Sequence, residues 1–426
     1  LSDLAKVRLP LSGRLDLEIS GEGALKSANA ELSAAAGRVN FPDFLSQPLQ
    51  VQEGLLRLKW DPETKSVGIS DSSLLVAGAH ATVSGRIVPH WDENNRVDTV
   101  RFELNSRSSH GQGQGQDMGP GFIDRIDVTG TASVAQGRVD LEDLLVMSGN
   151  SGVRMRGQFV EGGETISIAL SGRVQNMPVE MLRTLWSPIV APTTRAWVGE
   201  NIPRGRLTDG SFVIDLPSDV LGPALREKKP LPEGSVKVNM NFADVTSNYY
   251  EGQPPFENLG GKIIINGNQM ALTSLQGIVR SAANQVIKVE DGRMDISELA
   301  APVSQGDFQV KLSGALGTFL DIADREPLRF VTNSGFDPKG ARSNVSMNLR
   351  VQLPLISNRP KGSTKIKADV VLNGLSVANA ARGLPLTDGN LRLKIDNTGV
   401  EGGGPIELGG VPAKLEWARW TAPNIG

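Results

Sequence analysis

The sequence predicts a mainly β fold: a long, twisted, largely antiparallel sheet with short interrupting or capping helices. Apolar and polar residues alternate with a period of two in run after run, as in Leu11-Ser12-Gly13-Arg14-Leu15-Asp16-Leu17-Glu18-Ile19. That is the pattern of strands with one dry and one wet side, as in an antiparallel sheet. Short turn signals separate the runs, among them Ser20-Gly21-Glu22-Gly23, Asp61-Pro62, Glu161-Gly162-Gly163, Asn266-Gly267-Asn268 and Asp388-Gly389-Asn390, where Gly and Asn accept the left-handed backbone of tight hairpins. Glycine supplies 48 of 426 residues, about 11% against a usual ~7%, and much of that excess reads as turn chemistry.

Along the chain, Leu56, Leu58 and Trp60 alternate with Arg57 and Lys59, and Val236, Val238, Met240 and Phe242 with Lys237, Asn239 and Asn241. The same pattern sets Phe308, Val310 and Leu312, then Ile366, Ala368, Val370 and Leu372, then Leu391, Leu393 and Ile395, on dry sides. A looser repeat ends small-residue strands in Gly-Arg, at Arg38, Arg86, Arg138, Arg173 and Arg293. Its spacing is too irregular for a fixed-period solenoid.

Three helical pieces are expected. One starts near Met177-Pro178, with Val179, Leu182, Leu185 and Trp186 on one face; Pro188 interrupts it and a second turn starts at Pro192 and carries Trp197. Another covers Ala315 to Ala323, and a third Val377 to Ala381. Flexible loops are expected at Asn105–Gly121, Pro217–Gly234 and Asn358–Ser363. The organisation is then a β segment over 1–176, a helical insertion over 177–205 and a continuing β segment over 206–426.

Chemistry is hard to place on this chain. Cysteine is absent and there are only three histidines, none at a metal-ligand spacing. Lys and Arg total 44 against 47 Asp and Glu, a formal charge of -3, which gives no footprint for nucleic acid. No phosphate loop or nucleophile elbow occurs, so no enzyme, cofactor or metal is expected. No run of eighteen apolar residues spans a bilayer. The chain lacks an initiator Met and begins in mid-pattern, so a section of a longer or processed protein is expected.

The dry face must be buried somehow: by closure into a barrel, by a second sheet, or by rolling into an open trough. Leu, Val, Ile and Ala dominate it, while aromatics number 20 (twelve Phe, six Trp, two Tyr). A smooth aliphatic surface suits acyl chains, whose contact needs apolar area and little direction. It equally suits a filled core.

Three segments carry a resemblance. Residues 177–205 include Trp186, Pro188, Pro192 and Trp197. Residues 249–261 read Tyr-Tyr-Glu-Gly-Gln-Pro-Pro-Phe-Glu-Asn-Leu-Gly-Gly, with Pro254, Pro255, Phe256, Leu259 and Gly261, and lead into a strand. The third, Gly383-Leu384-Pro385-Leu386, is followed by Gly409-Gly410-Val411-Pro412. In these the chain resembles AsmA-like proteins of the bacterial cell envelope, in the branch related to the large YhdP and TamB proteins. The resemblance implies a taco-like open β-groove in the periplasm, a parent anchored in the inner membrane, and non-enzymatic movement of phospholipid between inner and outer membranes. Its partners are then phospholipid or another acyl-chain lipid, with envelope membrane proteins besides. Alternation nominates Leu56, Leu58, Val236, Val238, Met240, Ile263, Ile265, Val310, Leu312, Ile366, Val370, Leu391 and Leu393 as the lining. The rival readings are an assembly factor for outer-membrane proteins that works through an exposed strand edge, and a structural scaffold with a filled core.

Overall fold

A computed structural model describes residues 7–23, 25–40, 49–76, 79–110, 122–163, 165–186, 192–249, 252–326, 329, 332, 340–356, 360, 362–381 and 383–420. The chain divides into two compact units, residues 1–200 with 207–227 and residues 201–206 with 228–426. Both are open, twisted antiparallel sheets carrying a few short helices.

The first unit holds β1 (Val7–Arg8), β2 (Leu11–Ile19), β3 (Leu25–Ala34), β4 (Gly37–Val39), β5 (Leu49–Asp61), β6 (Ser66–Val76), β7 (Ala79–Trp91), β8 (Val97–His110), β9 (Arg125–Ser133), β10 (Arg138–Ser148), β11 (Ser151–Gly162) and β12 (Thr165–Pro178). From β5 to β12 each strand pairs with the next. β5 is long enough to take both β3 and β4 along one edge, and β2 and β1 pair with those in turn. Then follow α1 (Val179–Leu185), α2 (Pro192–Asn201), β13 (Arg204–Leu216) and α3 (Ser218–Glu227). Met177, Val179 and Met181 are buried where β12 runs into α1, while Leu182 and Leu185 stay half-buried.

The second unit is a meander of β14 (Val236–Ser247), β15 (Phe256–Asn266), β16 (Gln269–Arg280), β17 (Val286–Ile296), β18 (Gln305–Ala315), β19 (Arg342–Pro354), β20 (Lys365–Ala381), β21 (Leu384–Asp396), β22 (Gly399–Leu408) and β23 (Val411–Trp420). Consecutive strands pair throughout. One helix, α4 (Leu316–Ala323), follows β18. Neither sheet closes into a barrel: among the described residues β2 pairs only with β3, and β23 only with β22.

Three expectations are corrected. Val377–Ala381 is strand, the end of β20, pairing Val377 with Leu386 and Ala381 with Leu384; the ladder to β21 outweighs alanine's helix preference. Asn105–His110 continues β8, with β7 on one side and, as far as Arg107, β9 on the other, so those polar residues have the strand partners that composition does not forecast; residues 111–121 lie outside the described residues. Ser218–Glu227, expected inside a loop, is α3. The N–H groups of Val220 and Leu221 donate to the Pro217 carbonyl oxygen (3.0 and 2.8 Å), and buried Gly222 lies close enough to β12 that a Cβ there would be 3.4 Å from Thr165 Cγ2. Of the third expected loop, residues 358, 359 and 361 lie outside the described residues.

Glycine does more than punctuate turns. Gly267 does close the β15–β16 hairpin at φ 57°, but Gly130 and Gly172 stand in mid-strand on the apolar face. A Cβ on Gly130 would fall 2.7 Å from Phe102 Cζ and 2.3 Å from the Asp140 carbonyl oxygen; on Gly172 it would fall 2.5 Å from Phe212 Cζ. Each glycine is the recess into which a ring from the neighbouring strand lies down. Gly130→Ala is therefore expected to cost about 1–3 kcal/mol through overpacking, read as a lower urea midpoint. Gly21→Ala, at a turn with nothing within 4 Å of the added carbon, is the control and is expected to leave the midpoint unchanged.

Candidate functional site

In an antiparallel ladder, residues directly opposite one another share a face, so the register shows whether the dry positions of separate strands join. In the first unit they form a row of ten: Leu15, Ala30, Leu58, Ile69, Gly85, Leu104, Val128, Leu144, Met155 and Gly172, each opposite the next. A parallel row runs through Leu17, Ala28, Trp60, Val67, Ile87, Phe102, Gly130, Leu141, Gly157 and Leu170. Leu56, opposite Leu32, and Leu58 are both half-buried on this face.

In the second unit, Met240, Ile263, Leu272, Met294, Phe308, Val351 and Ile366 form one unbroken row over seven strands. Beside it run Val238, Ile265, Met270 and Ile296, then Val310 with Leu349 and Ala368, and Leu312 with Met347, Val370 and Leu393. Leu391 faces Leu372, and Val236 lies two residues before Val238, so it shares that face.

Exposure divides this second row. Val236, Val238, Met240, Ile263, Ile265, Leu312, Ile366 and Leu393 are half-buried. Val310, Val370 and Leu391 are 5%, 4% and 4% exposed. The last two belong to a packed cluster with Val345, Ala368, Leu372, Leu375, Leu386 and Ile406, onto which Leu316 and Phe319 of α4 close. Thr318, also on α4, is buried and donates to Gln285 Oε1 at 2.9 Å.

The apolar face of the second unit is concave. Phe256 is opposite Val279, which is opposite Ile287 on β17; Gly314 of β18 abuts Ile287, and Phe308 lies six residues back along β18. On a flat sheet, three strand spacings and six residues would separate Phe256 and Phe308 by roughly 25 Å. Their ring centroids are 6.5 Å apart, which requires the sheet to roll with its apolar side inward.

The opposite face carries ion pairs across and along strands: Arg57 with Glu31 at 2.9 Å, Arg154 with Asp143 at 2.6 Å, Arg280 with Glu257 at 3.1 Å and Lys311 with Glu290 at 2.9 Å. Two arginines of the Gly-Arg repeat join in, Arg138 with Asp140 at 2.7 Å and Arg293 with Asp295 at 2.6 Å. Asp307 is bound by Arg350 and by Gln352 Nε2 at 3.1 Å. The Arg350 hydrogen bond, against partial burial, holds the Asp307 carboxyl below its ordinary value. An open polar recess on this face is lined by Asp295, Asp307, Gln352 and Lys365.

The motif residues scatter. Trp186 is half-buried after α1, and its carbonyl oxygen accepts from Arg195 Nε at 2.9 Å. Pro192 opens α2 and Trp197 on that helix is exposed; Pro188 lies outside the described residues. Pro254 is buried and Pro255 half-buried just before β15. Leu259 sits opposite Val245, and Gly261 opposite Phe242, leaving room for that ring. Phe256 lies against Tyr249 at 4.5 Å; Tyr249 is 38% exposed as a whole, and desolvation of its phenol pushes it up to about 12, with Arg325 pulling the other way.

Among the described residues no group of three or more His, Asp or Glu is placed to hold a metal ion, and no helix is long and apolar enough to cross a membrane. No protein-family model, curated protein or solved structure matches the chain.

The depressed Asp307 gives a pH test. Its contribution to stability is present above the ordinary carboxylate value of ~3.9 and is lost as pH falls through the lower folded value. The urea midpoint of the parent protein is expected to exceed that of Arg350→Met at neutral pH, and the gap to close progressively below about pH 4.

Proposed function

We propose that the chain is a section of an AsmA-like lipid conduit of the bacterial periplasm, which passes phospholipid between inner and outer membranes without enzymatic chemistry. The parent protein would be held at the inner membrane by a segment beyond this section. The observation that carries the reading is the pair of apolar faces, each continuous in register over many strands, with charge kept to the opposite side. Acyl chains on such a floor leave water at about 0.8 kcal/mol per CH₂, while headgroups stay at the wet, open side. Successive strands offer nearly equivalent aliphatic contacts, so a chain moving along the row exchanges like for like and meets a low barrier. Nothing in such a floor sets direction; a lipid gradient or an energised partner in the envelope supplies it.

An acid on the floor tests this. In the variant Ile263→Asp with Leu272→Asp, an opposed and half-buried pair, the desolvation cost of even one carboxyl is about 1–3 kcal/mol. Co-purified phospholipid, counted by native mass spectrometry, is expected to drop roughly tenfold. Equal lipid in both proteins, or none in either, sinks the conduit.

One observation favours a second reading, an assembly factor for outer-membrane proteins. Among the described residues β2 has a partner on one side only, and Leu11, Leu15, Leu17 and Ile19 on it are 67%, 62%, 54% and 60% exposed. An apolar strand with a free edge can take up another strand by augmentation. On this reading Leu15→Pro abolishes photo-crosslinking of an unfolded outer-membrane β-hairpin to β2, while the Ile263→Asp, Leu272→Asp pair leaves it intact; the conduit reading expects no such crosslink.

A further inference from the structure

The concave face of the second unit is spanned by three rings. Tyr249 meets Phe256 at 4.5 Å and Phe256 meets Phe308 at 6.5 Å. Phe308 belongs to the floor, opposite Met294 and Val351. Phe256 comes from the start of β15, so the two reach each other above the intervening strands. The stretch that leads into Phe256 is also tied to the far side of the sheet: Gln253 Nε2 donates to the Glu326 carbonyl oxygen, just beyond α4, at 3.2 Å. α4 itself closes on the floor through Leu316 and Phe319.

The rings stand across a floor that offers half-buried apolar side chains on both sides: Met240, Ile263 and Ile265 ahead of them, Leu349, Ile366 and Leu393 past them. An acyl chain passing between two rings needs carbon contacts of about 4 Å on either side, so about 8 Å between ring centres. Both separations are shorter. The docked arrangement also leaves Gln253 Oε1 buried with no hydrogen-bond partner among the described residues, a cost that undocking relieves.

We infer that Tyr249, Phe256 and Phe308 form a constriction across the lipid path, closed as it stands, and that it opens when residues 252–256 part from Glu326. This rests on the conduit reading and adds a point of control to it. The half-buried residues Val238, Met240, Ile263 and Ile265 are then a loading site, and the floor under α4 is reached only through the opened constriction.

Photo-crosslinking from two floor positions separates the possibilities. A photoreactive amino acid replaces Met240 ahead of the rings or Leu349 past them, in the 426-residue chain incubated with vesicles of phosphatidylethanolamine and phosphatidylglycerol. With the rings intact, lipid crosslinks at Met240 and scarcely at Leu349. Phe256→Ala with Phe308→Ala raises the Leu349 yield roughly fivefold or more and leaves the Met240 yield within about twofold, as a shift toward the open state requires. Phe256→Leu, which keeps an apolar side chain and the packing beneath it, gives a smaller rise in the same direction, and far-ultraviolet circular dichroism checks that both variants are folded. Equal crosslinking at both positions in the parent protein, unchanged by the variants, overturns the constriction and leaves the conduit standing. No lipid at Met240 in any protein overturns the conduit, and the constriction with it.

Discussion

Everything in these sheets depends on cross-strand register on the apolar side. The side-chain period is two, so a slip of one residue between β15 and β16 would turn Ile263 and Ile265 to the charged face and bring Lys262 to the dry one. The row from Met240 to Ile366 survives because each opposed pair adds a few tenths of a kcal/mol up to about one, and the pairs recur strand after strand. The same register decides where a glycine can lie beneath a ring. It also decides which Arg meets which Asp or Glu on the far side. Individually those exposed ion pairs contribute little.

Alternation made the strands legible, because period two is a local signal and Leu56-Arg57-Leu58-Lys59-Trp60 carries it within five residues. Whether dry positions on different strands meet is not local. Register shifts between Leu55 and Leu58, and again between Ile69 and Ser72, decide that Leu58 faces Ile69 and Ile69 faces Gly85. α3 was hidden because Gly222, Pro223 and the following Lys228-Lys229 look like loop, although its first turn is held by the Pro217 carbonyl. Val377–Ala381 misled in the other direction: small helix-forming residues end a strand whose partner, Leu384–Leu386, follows immediately. Glycine was only half legible, since Gly267 and Gly130 look alike in a composition count and do opposite things. The contact of Phe256 with Phe308 could not be read at all, because it exists only once the sheet has rolled.

The two apolar faces differ in how they are covered. On the second, α4 and the packed cluster of β19–β22 bury part of the floor, and Leu275, Val279, Ile287 and Val289 are buried on β16 and β17, while the row from Met240 through Ile263 and Leu272 stays half-buried. Val310, Val370 and Leu391 are therefore core in the form seen, and Val236, Val238, Met240, Ile263 and Ile265 are half-buried. A single alternating pattern thus yields both buried and half-buried apolar positions, and the difference is made locally by what lies on top.

The meander has a further consequence for folding. Nearly every ladder joins strands adjacent in the chain, so long loops seldom have to close before contacts form, and contact order stays low for a β protein. Stability is then close to a sum of neighbour terms, as in repeat arrays. Such a molecule does not melt all at once: strands such as β2 and β23, with one neighbour each among the described residues, exchange their amide hydrogens first, and protection climbs toward the interior strands. A single transition temperature would average over that gradient, and shortening the array by one hairpin would remove one increment and leave the rest standing.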